Sequence, residues 1–250
     1  MKYFQRPVLL LVAIPVLLAF LCGCDEEPRG LNVPTYPLPS PLDDIDISYI
    51  PYEYAVDGCW VRAPFLSMEL AVAGIPSAAI HVQSCNNAFD LEGPDGLTWR
   101  HHVTVVIDDS GSLRVIDPML SPDFLTEAGW LEAISSDDDA RISFNPAAYP
   151  TGSAEQACGT RTGDEENMPE TLEDMTPFLL ANVMIHCAYM RDYLHQSGKD
   201  TEAREEHLIA RTRELVFALD AIGLLDTMGD EESLSLLEAG PYCPDPISGP

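Results

Sequence analysis

The sequence predicts an α+β protein on three observations. A run with helical spacing opens at Cys59, two β-branched segments around a turn form a hairpin that carries His102 and Asp117, and two amphipathic stretches lie near the C-terminus. With 250 residues, 46% of them hydrophobic, the chain is long and apolar enough to bury a sizeable core. Against 41 Asp and Glu stand 13 Lys and Arg, a formal net charge of -28. A surface that negative repels phosphate backbones, which excludes nucleic acid as a partner.

The elements follow in order. Lys2 and Arg6 precede the apolar run Pro7 to Leu21, the charged and hydrophobic parts of an export signal, too short for a secure membrane span. The run ends in Leu21-Cys22-Gly23-Cys24, which resembles the bacterial lipoprotein signal. That resemblance implies a signal over 1–23, lipidation of Cys24, and a protein exported to the bacterial cell envelope and lipid-anchored at a membrane. Residues 24–48 are polar and studded with Pro28, Pro34, Pro37, Pro39 and Pro41, a composition that stays extended and reads as a tether. A catalytic domain is expected over 49–150 and a mostly helical region over 151–250. The short segment before Ile50 leads us to expect no inhibitory pro-domain.

Seven cysteines occur, and setting aside Cys22 and Cys24 leaves five. In an oxidising compartment Cys85, Cys158, Cys187 and Cys243 can form two disulfides in three ways with one thiol over; spacing does not say which cysteine is spare, but the neighbourhood of Cys59 singles it out. No mature spacing is Cys-x-x-Cys and no His-Glu-x-x-His is present, so neither a metal nor another cofactor is expected.

Asp57-Gly58-Cys59-Trp60-Val61-Arg62-Ala63 begins a helical stretch that runs through Met68, Leu70 and Val72 to a stop at Gly74. Cys59 then sits at a helix start, where unpaired amides and the helix dipole favour thiolate over thiol. Pro64 is tolerated in a first turn but is expected to kink a helix already running from Cys59. Downstream, Trp99 to Ile107 is apolar and β-branched, Asp108-Asp-Ser-Gly111 is turn chemistry, and Ser112 to Asp117 is a second strand ended by Pro118. A four-residue loop over 108–111 pairs Ile107 with Ser112 and sets His102 directly opposite Asp117, with Cβ atoms about 4.5–5.5 Å apart. His101 then points away from Asp117. Cys59, His102 and Asp117 supply a nucleophile, its base and the group that orients the base. That order, Cys on a helix start and then His and Asp on successive antiparallel strands, is the order of papain-like and transglutaminase-like cores.

Three motifs, Asp57-Gly58-Cys59-x-x-Arg62-Ala63, Trp99-x-x-His102-Val103 and Val115-Ile116-Asp117-Pro118, resemble those of the bacterial protein-glutamine glutaminases. The approach Ile50-Pro51-Tyr52-x-Tyr54-x-Val56 is similar as well, so the resemblance covers roughly residues 49 to 120. It implies a cysteine amidohydrolase that deamidates protein-bound glutamine to glutamate, releasing ammonia through a thioester, with Cys59, His102 and Asp117 as catalytic triad and a protein or peptide bearing glutamine as partner. The residues alone leave two alternatives, a peptidase or acyltransferase on the same triad, and a non-catalytic envelope lipoprotein. The Cys59 amide is the expected oxyanion donor, and Trp60 and Trp99 are candidates to line the acyl channel.

Beyond residue 120 little function is legible. Asp137 to Asp139 and Asp164-Glu-Glu read as solvated acidic runs, and Phe144-Asn-Pro-Ala-Ala-Tyr-Pro150 as loop. From Thr176-Pro177 a helix carries Leu179, Val183, Cys187, Met190 and Leu194 on one stripe to Gly198. A second helix from Thr201 carries Leu208, Leu215, Leu219 and Ile222 to Gly223. His186, His195 and His207 lie on this pair without a metal motif, and Cys187 fits either a buried thiol or a bridge to Cys158 or Cys243.

Overall fold

The computed structural model describes residues 45–85, 91–134, 140–145, 161–162, 183–199 and 202–224, with 159, 168–169, 171–172 and 243 as isolated positions. The export signal, Cys24, most of the tether, Cys158, both acidic runs and the two expected helix starts, Thr176-Pro177 and Thr201, lie outside those residues.

The element order is α1 (Cys59–Val72), β1 (Ala78–Gln83), β2 (Leu91–Glu92), β3 (Thr98–Trp99), β4 (His101–Asp108), β5 (Leu113–Ile116), α2 (Glu127–Ala133), β6 (Arg141–Asn145), β7 (Arg161–Thr162), α3 (Val183–Gln196) and α4 (Glu202–Ala221). The class is α+β, as expected. The main sheet runs β5-β4-β1-β6-β7; its first three pairings are antiparallel and β6–β7 is parallel, so the sheet is not wholly antiparallel. Phe144 and Asn145, read from sequence as loop, close strand β6.

Helix α1 is buried along almost its whole length, with only Trp60 and Val72 partly exposed. A helix apolar all round needs cover on every side. The sheet provides it on one side through Ala79, Val103, Val105 and Ile107, and α3 and α4 on the other through Met190, Leu194, Leu208, Leu215 and Leu219. Each of the valines, leucines, isoleucine and methionine among them contributes roughly 1.5–3 kcal/mol on burial. The opposite sheet face packs Ala78, Ile80, Val82, Val106 and Val115 against Trp130 of α2. Alternation along β4 thus sorts His101, Val103, Val105 and Ile107 to the α1 face and His102, Thr104 and Val106 to the α2 face.

Helix α1 ends as its sequence predicts: Gly74 adopts φ +81°, and the amides of Gly74 and Ile75 return to Ala71 O and Leu70 O. The helix also continues through Pro64, which is buried within it. In the C-terminal pair, Leu208, Leu215 and Leu219 are buried as expected, whereas Ile222 lies beyond α4 and is exposed. Cys187 is bonded to Cys243, which ties the proline-rich tail to α3. Cys85 is also disulfide-bonded, and Cys59 is a free thiol.

Candidate active site

Cys59 is the first residue of α1, and its position is set by an unusual N-cap. Gly58 holds φ +92°, and a Cβ there would stand 2.5 Å from Tyr193 Cε2, so the position demands glycine twice over. The Gly58 carbonyl accepts the amides of Val61 and Arg62, and its own amide donates to Asp57 Oδ1 at 2.6 Å. Arg62, one turn into α1, donates to Tyr54 O at 2.7 Å and Asp57 O at 2.9 Å and straps the incoming segment to the helix. From α3, Tyr193 stacks on Tyr54 at 4.8 Å and donates to Asp57 Oδ2 at 3.3 Å. The C-terminal helices therefore brace the loop that presents Cys59, a role no sequence spacing announces.

The hairpin differs from the sequence expectation in one instructive way. Ser110 and Gly111, with φ +57° and +86°, form a two-residue loop between the mutually bonded Asp109 and Ser112. Positive φ at both positions is what a type I′ turn requires, and that turn matches the twist of the strands it joins. The ladder therefore pairs Asp108 with Leu113 and Val105 with Ile116, two residues away from the expected register. His102 is not directly opposite Asp117, and Asp117 lies one residue past β5. A shift of two keeps every side chain on its face. The pair accordingly forms on a diagonal, with His102 Nε2 2.7 Å from Asp117 Oδ2.

Both partners are buried. The remaining capacity of the Asp117 carboxylate is filled by Trp130 Nε1, which donates to Oδ2 at 2.8 Å, and by the Met119 amide, which donates to Oδ1 at 3.3 Å. Trp99 stacks on the His102 ring at 4.7 Å and 12° while its Nε1 donates to Ala55 O. With Nε2 committed to Asp117, Nδ1 is left for Cys59. Burial pushes the Cys59 thiol up, but hydrogen bonds and positive fields from His101 and His102 outweigh it and bring the group from 9.0 down to about 6. Burial pushes His102 down, yet the Asp117 charge and hydrogen bond, aided by Cys59, raise it to about 9. Burial would likewise raise Asp117, and the adjacent His102 charge with the donors from Trp130 and Met119 holds it below the usual carboxylate range. A thiolate and an imidazolium are thus the stable forms near neutrality.

A pocket opens on the sulfur, lined by Asp57, Cys59, Arg62, Thr98, Trp99, Arg100, His101 and His102 among others. Trp99 lines it as expected. Trp60 does not: it packs edge-on against His186 and Tyr189. Sequence reasoning also missed His101, which lines the pocket with Cys59 and favours its thiolate, and Trp130, which no local signal links to Asp117.

Residues 43–134 match the family model described as Glutaminase. A comparison with curated proteins returns no match. A crystal structure of protein-glutaminase is similar at 19% identity and TM-score 0.38, over 57% of this chain and 74% of that one. The NMR structure of protein-glutaminase from Chryseobacterium proteolyticum aligns at 23% identity and TM-score 0.34, over 41% of this chain and 62% of that one. A crystal structure of pro-protein-glutaminase aligns at 20% identity and TM-score 0.38, over 57% of this chain and 48% of that one. The matched segment, 43–134, carries Cys59, His102 and Asp117 and is similar to the glutaminase family over that part of the chain.

Proposed function

We propose that this chain is a cysteine amidohydrolase that deamidates glutamine side chains within proteins, built on a papain- or transglutaminase-like core. The observation that carries the reading is the buried His102–Asp117 pair, 2.7 Å apart, aimed from the sheet at a cysteine on a helix start beside an open pocket. The match of residues 43–134 to the glutaminase family model supports the substrate class.

The Cys59 thiolate attacks the carboxamide carbon of a protein-bound glutamine. The developing oxyanion lies near the Cys59 amide, the first N–H of α1, which by its place in the helix has no intrahelical acceptor. His102, as imidazolium, gives its proton to the nitrogen as the C–N bond breaks, releasing ammonia and leaving a thioester. Water then loses a proton to the neutral His102 and attacks the thioester, which collapses to glutamate and restores thiolate and imidazolium. Asp117 keeps Nε2 protonated and Nδ1 turned toward the sulfur throughout. The enzyme works in the bacterial cell envelope, held at a membrane by a lipid on Cys24.

The test is ammonia release from a glutamine-containing peptide by the full chain in detergent, beside Cys59→Ala, with mass spectrometry of the substrate. The expected result is a gain of about one dalton per glutamine, without chain cleavage or amine incorporation, that vanishes in Cys59→Ala. Cleaved peptide or incorporated amine would replace the deamidase with a peptidase or a transglutaminase. Anchoring is checked separately, by loss of detergent-phase partitioning in Cys24→Ala.

A further inference from the structure

We propose that His101 is a second imidazole partner of the Cys59 sulfur, acting beside His102 to keep the nucleophile ionised and to donate a hydrogen bond to charge that develops on the bound substrate. The ionisation does not depend on the substrate; the contribution to turnover rests on the deamidation proposed above.

Consecutive strand residues point to opposite faces, so His101 and His102 diverge at the start of β4. Cys59, the first residue of α1, nevertheless lines one pocket with both rings, and both favour its thiolate. The two rings have different surroundings. His102 is buried, stacked on Trp99 and fixed by Asp117. His101 is only partly buried and lines the pocket on the α1 face, where an incoming carboxamide must pass.

His101 has a carboxylate of its own. Asp57, on the same pocket wall, raises the proton affinity of His101 through its charge, as Cys59 does through both a hydrogen bond and its charge. The Asp57 carboxylate is held by the Gly58 amide and the Tyr193 hydroxyl. The other charged and titratable neighbours are His102, His81, Arg62 and Arg100. His102, on the same strand, lowers His101 by its charge. His81 of β1 pairs with Val103 and shares the His101 face; burial, reinforced by the charges of His101 and His102, brings it down to about 3, so it stands neutral. Arg62 and Arg100 line the same pocket. The balance leaves His101 above the ordinary imidazole value, with Cys59 as the principal cause. Cys59 thus has two imidazoles beside it, one buried and paired with Asp117, the other on the pocket wall with Asp57.

When His102 gives its proton to departing ammonia, His101 still holds an N–H toward the reacting centre. A donor present in both protonation states of His102 stabilises the oxyanion before and after that transfer, a stabilisation His102 alone cannot maintain.

The experiment measures alkylation of Cys59 by iodoacetamide against pH in the full chain, read on the Cys59 peptide by mass spectrometry, for wild type, His101→Gln and His102→Gln. Removing His101 should move the thiolate profile upward by about one pH unit, so that alkylation near pH 6 slows by roughly five- to tenfold. His102→Gln should retain a profile below that of a free thiol, because His101 remains. Glutamine turnover by His101→Gln should fall through kcat rather than KM. As a second variant, His101→Ala is assayed with added imidazole, which should restore both alkylation at pH 6 and ammonia release. A His101→Gln profile that superimposes on wild type, or His101→Ala alkylation that imidazole leaves unchanged, overturns the proposal. A shifted profile in a protein that releases no ammonia upholds the thiolate role and refutes the deamidase instead.

Discussion

His102 and Asp117 meet on a diagonal of the β4–β5 ladder rather than straight across it. Nε2 lies 2.7 Å from Oδ2, although continuing the Val105–Ile116 register would align Asp117 with Thr104. Thr104 turns its hydroxyl to Ile116 O, which secures the end of the ladder and sends Asp117 on toward the imidazole. Asp117→Asn removes the charge that keeps His102 protonated and turns an amide NH2 or carbonyl toward donors that require an acceptor. Turnover should fall by about 10²–10⁴-fold, with Cys59 alkylation at pH 7 slowed in parallel. Steady-state kinetics beside the alkylation rate decide this, and an Asp117→Asn protein within threefold of wild type would remove Asp117 from the mechanism.

The pH profile follows from two opposed shifts. The reactive form needs the thiol deprotonated and the imidazole protonated. The first condition is met as pH rises through about 6, and the second is lost as pH rises through about 9. Because the groups are coupled, these limbs belong to the pair. kcat/KM should therefore form a plateau between them, falling on the acid side with thiolate and on the alkaline side with imidazolium. An acid limb near the free-thiol value would show that Cys59 is not activated.

Much of this site was legible because its signals are local. Asp57-Gly58-Cys59 followed by helical spacing places the cysteine at a helix start, and two-residue alternation puts His102 and Asp117 on one face even though the loop has two residues rather than the expected four. The type I′ turn at Ser110–Gly111 shortened the loop by two, and an even slip preserves the face. An odd slip would have separated the pair. His101 carries no such local signal, because it turns away from Asp117 and shares its pocket with Cys59 on another element. Trp130 and Tyr193 were beyond reach for a related reason: each touches the site only after α2 and α3 dock, and sequence periodicity fixes a burial face without saying what it is buried against.

Gly58→Ala isolates the bracing of the nucleophile. The new Cβ faces a left-handed backbone and a Tyr193 ring carbon 2.5 Å away, two penalties that together should cost about 2–4 kcal/mol. Adding Tyr193→Ala should relieve the clash but not the backbone strain, so the double variant should not regain wild-type turnover. Urea denaturation of the single and double variants, with turnover measured on each, separates the two contributions. A Gly58→Ala protein with unchanged midpoint and turnover would contradict the geometry.

The last prediction concerns the ion pair that fastens α4 to α1. Glu69 is only 2% exposed and receives Arg211 through two parallel bonds, Nε to Oε1 at 2.8 Å and Nη2 to Oε2 at 2.6 Å, while the buried Tyr49 hydroxyl donates to Oε1. Arg211 is 24% exposed and also reaches Glu214. The two partners therefore differ in what their loss leaves behind. Arg211→Ala strands a buried carboxylate with one neutral donor, at a cost of about 3–5 kcal/mol. Glu69→Gln keeps an acceptor for Tyr49 and leaves an arginine that can turn toward water and Glu214, so its cost should be smaller, about 1–3 kcal/mol. Since α4 covers α1 far from the sulfur, both variants should lose stability in urea while the folded fraction keeps its alkylation profile. Equal losses, or a greater loss in Glu69→Gln, would mean that the burial of the carboxylate does not govern this contact.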